Sequence, residues 1–330
     1  MRAIVLDEHG GPEVLRIREV PAPQPGPQEV AVDVRAAGVN RADLLQREGR
    51  YPAPEPRPAH EIPGLEMAGC VAAVGPLVSR FRVGDRVAGL LPGGGYAQRV
   101  VSHADLLFEV PANLGWAEAA AVPEVFLTAY DALVLQAGMG AGDRLLVHAA
   151  ASGVGTAAVQ LGRWAGAQVY GTAGSAAKCL AAEGLGAHAV VEMGDRSRDF
   201  AAILDEHVGG HGFDVVLDLV GASYLDRNLK ALAPRGRLIT LGLVGGVRAE
   251  IDLGQLLSRR LTVMGSNLRG RSLGEKASLT AVFAGRVLPA LAAGRLRPIV
   301  GTVLPWTRAA EAHRLLQADA VIGKVVLEVQ

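Results

Sequence analysis

The sequence predicts an α/β fold in which a β-rich domain is joined to a doubly wound parallel sheet. Three observations carry that reading. Strand-like runs broken by Pro and Gly fill roughly the first 120 residues, and after about residue 125 apolar runs alternate with helical ones. Between a strand and a helix, the segment LLVHAAASGVGTAAVQL makes a turn of small residues.

A chain of 330 residues is long enough for about two domains with cores that need no staples. Hydrophobic residues make up 50% and charged ones 20%, too apolar a balance for a disordered chain. Lys+Arg and Asp+Glu both number 33, so no net field exists to draw nucleic acid or an anionic membrane. With only Cys70 and Cys179, neither a disulfide framework nor a four-thiolate zinc site can form. No run is apolar enough for a membrane span, and MRAIVLDEHGG meets acid and Gly too early for a signal peptide. A soluble cytoplasmic protein is expected.

In the first part, Val30, Val32 and Val34 of EVAVDVRAAGV share one strand face, and RFRVGDRV sets a Gly-Asp turn between two apolar runs. NRADLLQRE reads as a helix, with Asn40 capping it by accepting an N–H bond and Gly49 ending it. PAPQPGP and YPAPEPRP read as proline-stiffened loops. The later strand candidates are RLLVHAAA, AQVYGTA, HAVVEM, FDVVLDLVG, GRLITLGLVG and LTVMGS, with helices at TAAVQLGRWAG and SAAKCLAAEGLG. A further helical stretch, GEKASLTAVFAGRVLPALAAG, leads through PIVGTVLPW and the helix TRAAEAHRLLQ to the strand GKVVLEV.

The small-residue turn matches a dinucleotide fingerprint imperfectly. Ala150, Ser152 and Gly155 occupy its three positions, and Ser152, Gly153, Val154 and Gly155 would present N–H groups to a pyrophosphate at a helix N-terminus. An ordinary tight turn carries the same pattern; the βαβ context favours the nucleotide. At the end of the next strand an NAD site would place an acid for the ribose hydroxyl, but none stands before Glu183. Gly174, Ser175 and Lys178 there suit a 2′-phosphate, so NADPH is expected over NADH; the alternative for Lys178, a solvated helix lysine, is the weaker reading beside an acid-free strand end.

The motifs GGPEVL, GVNRADLLQREGRYP, IPGLEMAG, LLPGGGYAQ, AAVPEVFLTAYDAL, VHAAASGVGTAAVQL, TAGSAAK, SNLRGRS and IGKVVLEV occur in this order. Together they resemble the zinc-independent quinone oxidoreductases of the medium-chain dehydrogenase/reductase superfamily, in particular the p53-inducible branch. The resemblance implies a GroES-like domain formed by residues 1–122 and 267–330, a Rossmann NADPH-binding domain at 123–266, a substrate cleft between them and a homodimer. Asn40, Leu65 and, more loosely, Glu124 stand at the superfamily's catalytic zinc positions, and none is Cys or His. His60 reads as a loop histidine.

Without a Lewis acid, alcohol oxidation is disfavoured, whereas a quinone becomes aromatic on accepting hydride and mainly needs positioning. By resemblance Asn40, Tyr51 and Thr128 line the nicotinamide end as catalytic and cofactor-contacting residues. The alternative readings are a helix cap alone for Asn40 and a loop aromatic for Tyr51. Further cofactor contacts implied are Leu243, Ser266, Leu268 and Lys324, with Met193 where many relatives carry tyrosine. His148 reads as a packed histidine, both cysteines as buried, and Arg269 and Arg271 as cleft guards or solvated residues. NADPH-dependent quinone reduction is the leading expectation, with an enone or enoyl reductase and a non-enzymatic NADPH-binding protein as alternatives.

Overall fold

The computed structural model describes residues 1–51, 59–194 and 198–329. The prolines of YPAPEPRP lie outside the described residues. Near the start, β1 (Arg2–Leu6) and β2 (Leu15–Glu19) form an antiparallel pair. The long strand β3 (Glu29–Val39) follows, then α1 (Arg41–Arg47), β4 (Glu66–Val74), β5 (Arg86–Leu90), β6 (Arg99–His103) and β7 (Leu107–Glu109). Val30, Val32 and Val34 are buried as the alternation requires, but Ala31, Ala36 and Ala37 are buried too, so β3 is covered on both faces.

Two expectations need correction here. In RFRVGDRV only the second apolar run becomes a strand, starting at Arg86; Val83 is exposed and Gly84 turns the chain at φ 95°. The other concerns the start of α1: the Asn40 side chain makes no cap bond, and the carboxylate of Asp43 instead accepts the Asn40 N–H at 2.8 Å. Two short helices, α2 (Trp116–Ala120) and α3 (Pro123–Tyr130), close this part of the chain.

Next come β8 (Arg144–Val147), α4 (Gly153–Trp164), β9 (Gln168–Ala173), α5 (Ala176–Gly184), β10 (Ala189–Glu192) and α6 (Phe200–His207). They are followed by β11 (Phe213–Asp218), α7 (Leu225–Ala231), β12 (Leu232–Thr240), α8 (Leu253–Arg259) and β13 (Thr262–Gly265). The six strands form one parallel sheet in the order β10-β9-β8-β11-β12-β13. This is the doubly wound order, which reverses direction between β8 and β11. Leu145, Leu146 and Val147 are wholly buried, as a strand with helices on both faces demands. His148, just past β8, is also buried, and its two ring nitrogens lie 2.9 Å from Thr172 Oγ1 and 2.6 Å from Asn228 Oδ1. Burial pulls its pKa down to about 4, so it is a neutral packing residue.

The final stretch holds α9 (Leu273–Arg286), α10 (Leu288–Ala292), β14 (Val300–Pro305), α11 (Ala309–Gln317) and β15 (Lys324–Glu328). What reads as one helical stretch is two helices, because Pro289 falls in the first turn of the second, where its missing N–H costs nothing. Strand β15 lies antiparallel to β3, extending a seven-stranded sheet in the order β14-β15-β3-β4-β5-β7, with β6 pairing the first half of β3 and β15 its end. By contact, Met1–Leu127 and Arg269–Gln330 make one compact unit and Thr128–Leu268 the other. Cys179 is buried as expected, whereas Cys70 in β4 is only half-buried.

Candidate active site

In the discontinuous unit, strand pairing gathers polar residues far apart in sequence. Asn40 follows β3, Glu66 opens β4, and Lys324 opens β15, whose Val325 sits opposite Val39. Glu66 and Lys324 are almost completely buried and pair at 2.6 Å. Lys324 Nζ also donates to Asn40 Oδ1 at 2.6 Å and to the Val39 carbonyl at 2.8 Å. Its three N–H donors are thereby engaged within the chain. Within the chain Lys324 thus fixes Asn40. The Asn40 Nδ2 donates to Glu66 Oε1 at 2.9 Å, so the amide is held at both ends. A side chain at Gly38 would collide with the Glu66 carboxyl, which explains a glycine inside this strand.

The other Glu66 oxygen accepts the Glu124 N–H at 2.8 Å, tying the start of α3 to the same carboxylate. Glu124 is half-buried, and desolvation together with the negative charge of Glu66 raises its pKa to about 8, so it carries a proton at neutral pH. Asp43 is fully buried and accepts from Asn40 N, Gly64 N and the Tyr96 hydroxyl. Burial raises its pKa to about 6 against the opposing bonds. The network runs on through Tyr96 to His313, whose pKa burial and Arg47 depress to about 3.

Tyr51 lies against Arg269, whose Cζ is 4.6 Å from the ring centroid. Arg269 is anchored by Nε and Nη2 bonds to the Pro92 carbonyl at 3.2 and 2.9 Å and by a 3.3 Å bond to Gln46 Oε1. Burial raises the Tyr51 pKa, keeping the phenol neutral. Arg271 is half-buried and His60 is exposed. The expected grouping of Asn40, Leu65 and Glu124 is found around Glu66, but it does not suit zinc: Leu65 has no donor atom and the Asn40 amide is already engaged. Among the described residues no three His, Cys, Asp or Glu side chains could hold a metal.

In the second unit the candidate site is made largely of backbone. Ser152 caps α4, its oxygen accepting from Gly155 N at 3.1 Å, and the N–H groups of the first turn at Gly153 and Val154 lie at the positive end of the helix. Gly155 is required, because a Cβ there would strike the Ala149 carbonyl and the Ala150 backbone. One strand over, Gly174 is exposed after β9, Ser175 begins α5 with its hydroxyl not used as a cap, and Lys178 is half-buried in the first turn. Met193 is buried at the end of β10 and bonds through its N–H to Ala173 at 2.7 Å. Leu243 is exposed on the loop after β12, while Leu268 is buried.

The Ser266 hydroxyl accepts from Gln136 Nε2 at 2.7 Å and donates to Asp131 Oδ2 at 3.4 Å. The Thr128 hydroxyl oxygen is buried with no partner. Such an orphaned polar atom fits a group that accepts or donates there on binding, and the glycine-lined turn fits a pyrophosphate. Sequence reasoning missed Glu66, Asp43, Tyr96, Arg47 and His313. The Asn-x-x-Asp spacing of a capping box was the one visible signal, and it pointed to Asp43.

Residues 26–112 match the family described as "Alcohol dehydrogenase GroES-like domain", and residues 153–282 the family described as "Zinc-binding dehydrogenase". Across 330 aligned residues, 99% of this chain and 97% of the relative, it is 34% identical to a quinone oxidoreductase of Lama guanicoe. The chain belongs to the medium-chain dehydrogenase/reductase superfamily. As a member of that superfamily it is an oxidoreductase, 31% identical over the same share to the quinone oxidoreductase of Homo sapiens. Three solved structures are also similar. A mycobacterial protein complexed with NADPH has a TM-score of 0.89 and 32% identity, covering 99% of this chain and 100% of that one. An NAD-dependent alcohol dehydrogenase has a TM-score of 0.89 and 36% identity, with 100% of both chains covered. The enoyl reductase CurK has a TM-score of 0.88 and 29% identity, covering 100% of this chain and 99% of that one.

Proposed function

We propose that this oxidoreductase reduces quinones by two electrons with NADPH, by direct hydride transfer and without zinc or flavin. The observation that carries this reading is the set around Glu66, where Asn40 and Glu124 offer hydrogen-bonding groups and Leu65 a hydrocarbon side chain at positions where a zinc enzyme needs metal donors. Kinship with full-length quinone oxidoreductases supports the substrate class. The acid-free end of β9, with Gly174, Ser175 and Lys178, supports NADPH over NADH, and one similar structure holds NADPH.

Residues 152–155 would hold the pyrophosphate, Ser175 and Lys178 the 2′-phosphate, and Met193, Leu243 and Leu268 the apolar faces of the nucleotide. When bound, the reduced nicotinamide supplies the hydride. The buried Thr128 hydroxyl and the clamped Asn40 amide orient that ring, and Tyr51, stiffened by Arg269, packs on the acceptor. Residues 1–127 and 269–330 form the acceptor domain in this reading, and 128–268 the nucleotide domain.

A second reading, reduction of an enone or enoyl thioester, is favoured by the similarity to CurK and by a polyketide synthase component of Streptomyces venezuelae, 37% identical over 94% of this chain and 8% of that protein. The two readings separate in one experiment. NADPH oxidation is followed with 9,10-phenanthrenequinone, with an enone and with no acceptor, for the wild type and Tyr51→Phe. Quinone reductase chemistry gives faster quinone turnover that Tyr51→Phe changes by less than about threefold. Faster enone turnover, lost in Tyr51→Phe, assigns the enone reaction, and nucleotide binding without turnover of either acceptor leaves only a nucleotide-binding protein.

No helix among the described residues is long and apolar enough to cross a membrane. Strand β13 is an edge of its sheet with Val263 exposed on it, and Val244, Val247, Leu253 and Leu257, in the segment between β12 and β13, are exposed too. Pairing of that edge with a second copy would cover them, and light scattering should then give twice the 34.3 kDa chain mass.

A further inference from the structure

We infer that Glu124 is the proton donor that completes reduction of the acceptor. The inference rests on the reductase reading above and adds a protein acid to a reaction in which positioning alone would serve a quinone.

Three features of the site single out Glu124. Its backbone is fixed, because its N–H is bound by the buried Glu66 carboxylate at 2.8 Å. Its carboxyl group, by contrast, has no hydrogen-bond or ion-pair partner among the described residues and is half-buried, so it remains open to a ligand. The other two carboxyls of the cluster are committed: Glu66 to Lys324, Asn40 and the Glu124 backbone, and Asp43 to Asn40, Gly64 and Tyr96.

The surrounding charges suit both halves of a proton cycle. Desolvation and Glu66, with Asp43 adding to it, keep the proton on Glu124 up to about pH 8. Lys324 and Arg269 oppose them and would stabilise the carboxylate left after transfer. Tyr51 and Lys276 also feel the charge of Glu124; both are partly buried, and Lys276 donates to the Arg269 carbonyl. A general acid with a pKa near the working pH meets the requirement for efficient transfer.

The step balances. Hydride forms a C–H bond at the acceptor, and the displaced π pair settles on the acceptor oxygen. That oxygen takes the Oε–H proton of Glu124, giving oxidised NADP⁺ together with the enol of a reduced enone or a non-aromatic tautomer of the quinol, and a proton shift between carbon and oxygen through water then gives the saturated ketone or the aromatic quinol. Water returns a proton to the carboxylate before the next cycle. Where a zinc enzyme would stabilise oxyanion charge with a metal, this site neutralises it with a proton.

The test combines Glu124→Gln, which keeps size and hydrogen bonding, with two readouts on the full chain. In infrared difference titration the wild type should show a protonated-carboxyl band that disappears with a midpoint near about 8, and Glu124→Gln should lack it. In steady state, wild-type kcat should fall above that pH. The variant should lose this basic limb and about 100-fold in kcat, with KM for NADPH changed less than about twofold and partial rescue by Glu124→Asp. Retention of wild-type kcat and the same basic limb in Glu124→Gln overturns the inference, as does a band that persists in the variant. If the band titrates but neither quinone nor enone is reduced, the reductase reading itself has failed and the donor role falls with it.

Discussion

The two compact units build their candidate sites from opposite materials. The discontinuous unit uses side chains: Asn40, Glu66 and Lys324 lock one another inside a sheet, and Asp43 joins them to Tyr96, His313 and Arg47. The Rossmann unit uses backbone, with small residues at 149–155 and 174–175 clearing space for main-chain N–H groups. Side chains buried as charges are sensitive to losing a partner, whereas backbone cradles are sensitive to gaining an atom.

The largest effect should come from deleting a partner in the first unit. Lys324→Met leaves the Glu66 carboxylate buried without its cation and should cost about 3–5 kcal/mol in denaturant unfolding. The double change Lys324→Met with Glu66→Gln should recover part of it. If the single substitution is neutral, the pair is not the anchor described here. Adding one methyl in the second unit comes next. Gly155→Ala drives a Cβ into the Ala149 carbonyl and should cost about 1–3 kcal/mol together with a loss of nucleotide affinity measurable by calorimetry. The smallest effect sharpens the nucleotide preference. Lys178→Ala should weaken NADPH by about tenfold and leave NADH unchanged, and equal affinities for both nucleotides in the wild type would remove the basis for an NADPH preference.

The same contrast explains what could be read from the sequence. All six strands of the parallel sheet were legible, because each is a short local apolar run, continuous and buried in the central strands β8 and β11 and still apolar in sequence at the exposed edge strand β13. The turn before α4 was legible for the same reason: its parts are contiguous. The charged cluster was not, since Asn40, Glu66 and Lys324 meet only when β15 pairs with β3 and β3 with β4. Local reading gave the Asn40 side chain the commonest job for an asparagine before a helix, a cap, whereas that amide is held by Glu66 and Lys324 and the Asn40 N–H is bound by Asp43. Glu66 was visible only as a letter within GLEMAG, because nothing nearby in sequence reveals that its cation lies in the final strand.

That last pairing has a consequence for the growing chain. Lys324 and Asn40 are separated by 284 positions, and the unit that contains both is interrupted by a contiguous sheet domain. During synthesis the central domain can close on itself while the earlier strands still lack β15 and their counter-charge. Until β15 emerges, Glu66 has no counter-charge to accompany it into the interior, so the earlier strands should stay open. The site's assembly therefore waits for β15, and a chain cut before that strand would present an unsealed sheet instead of a partly active enzyme.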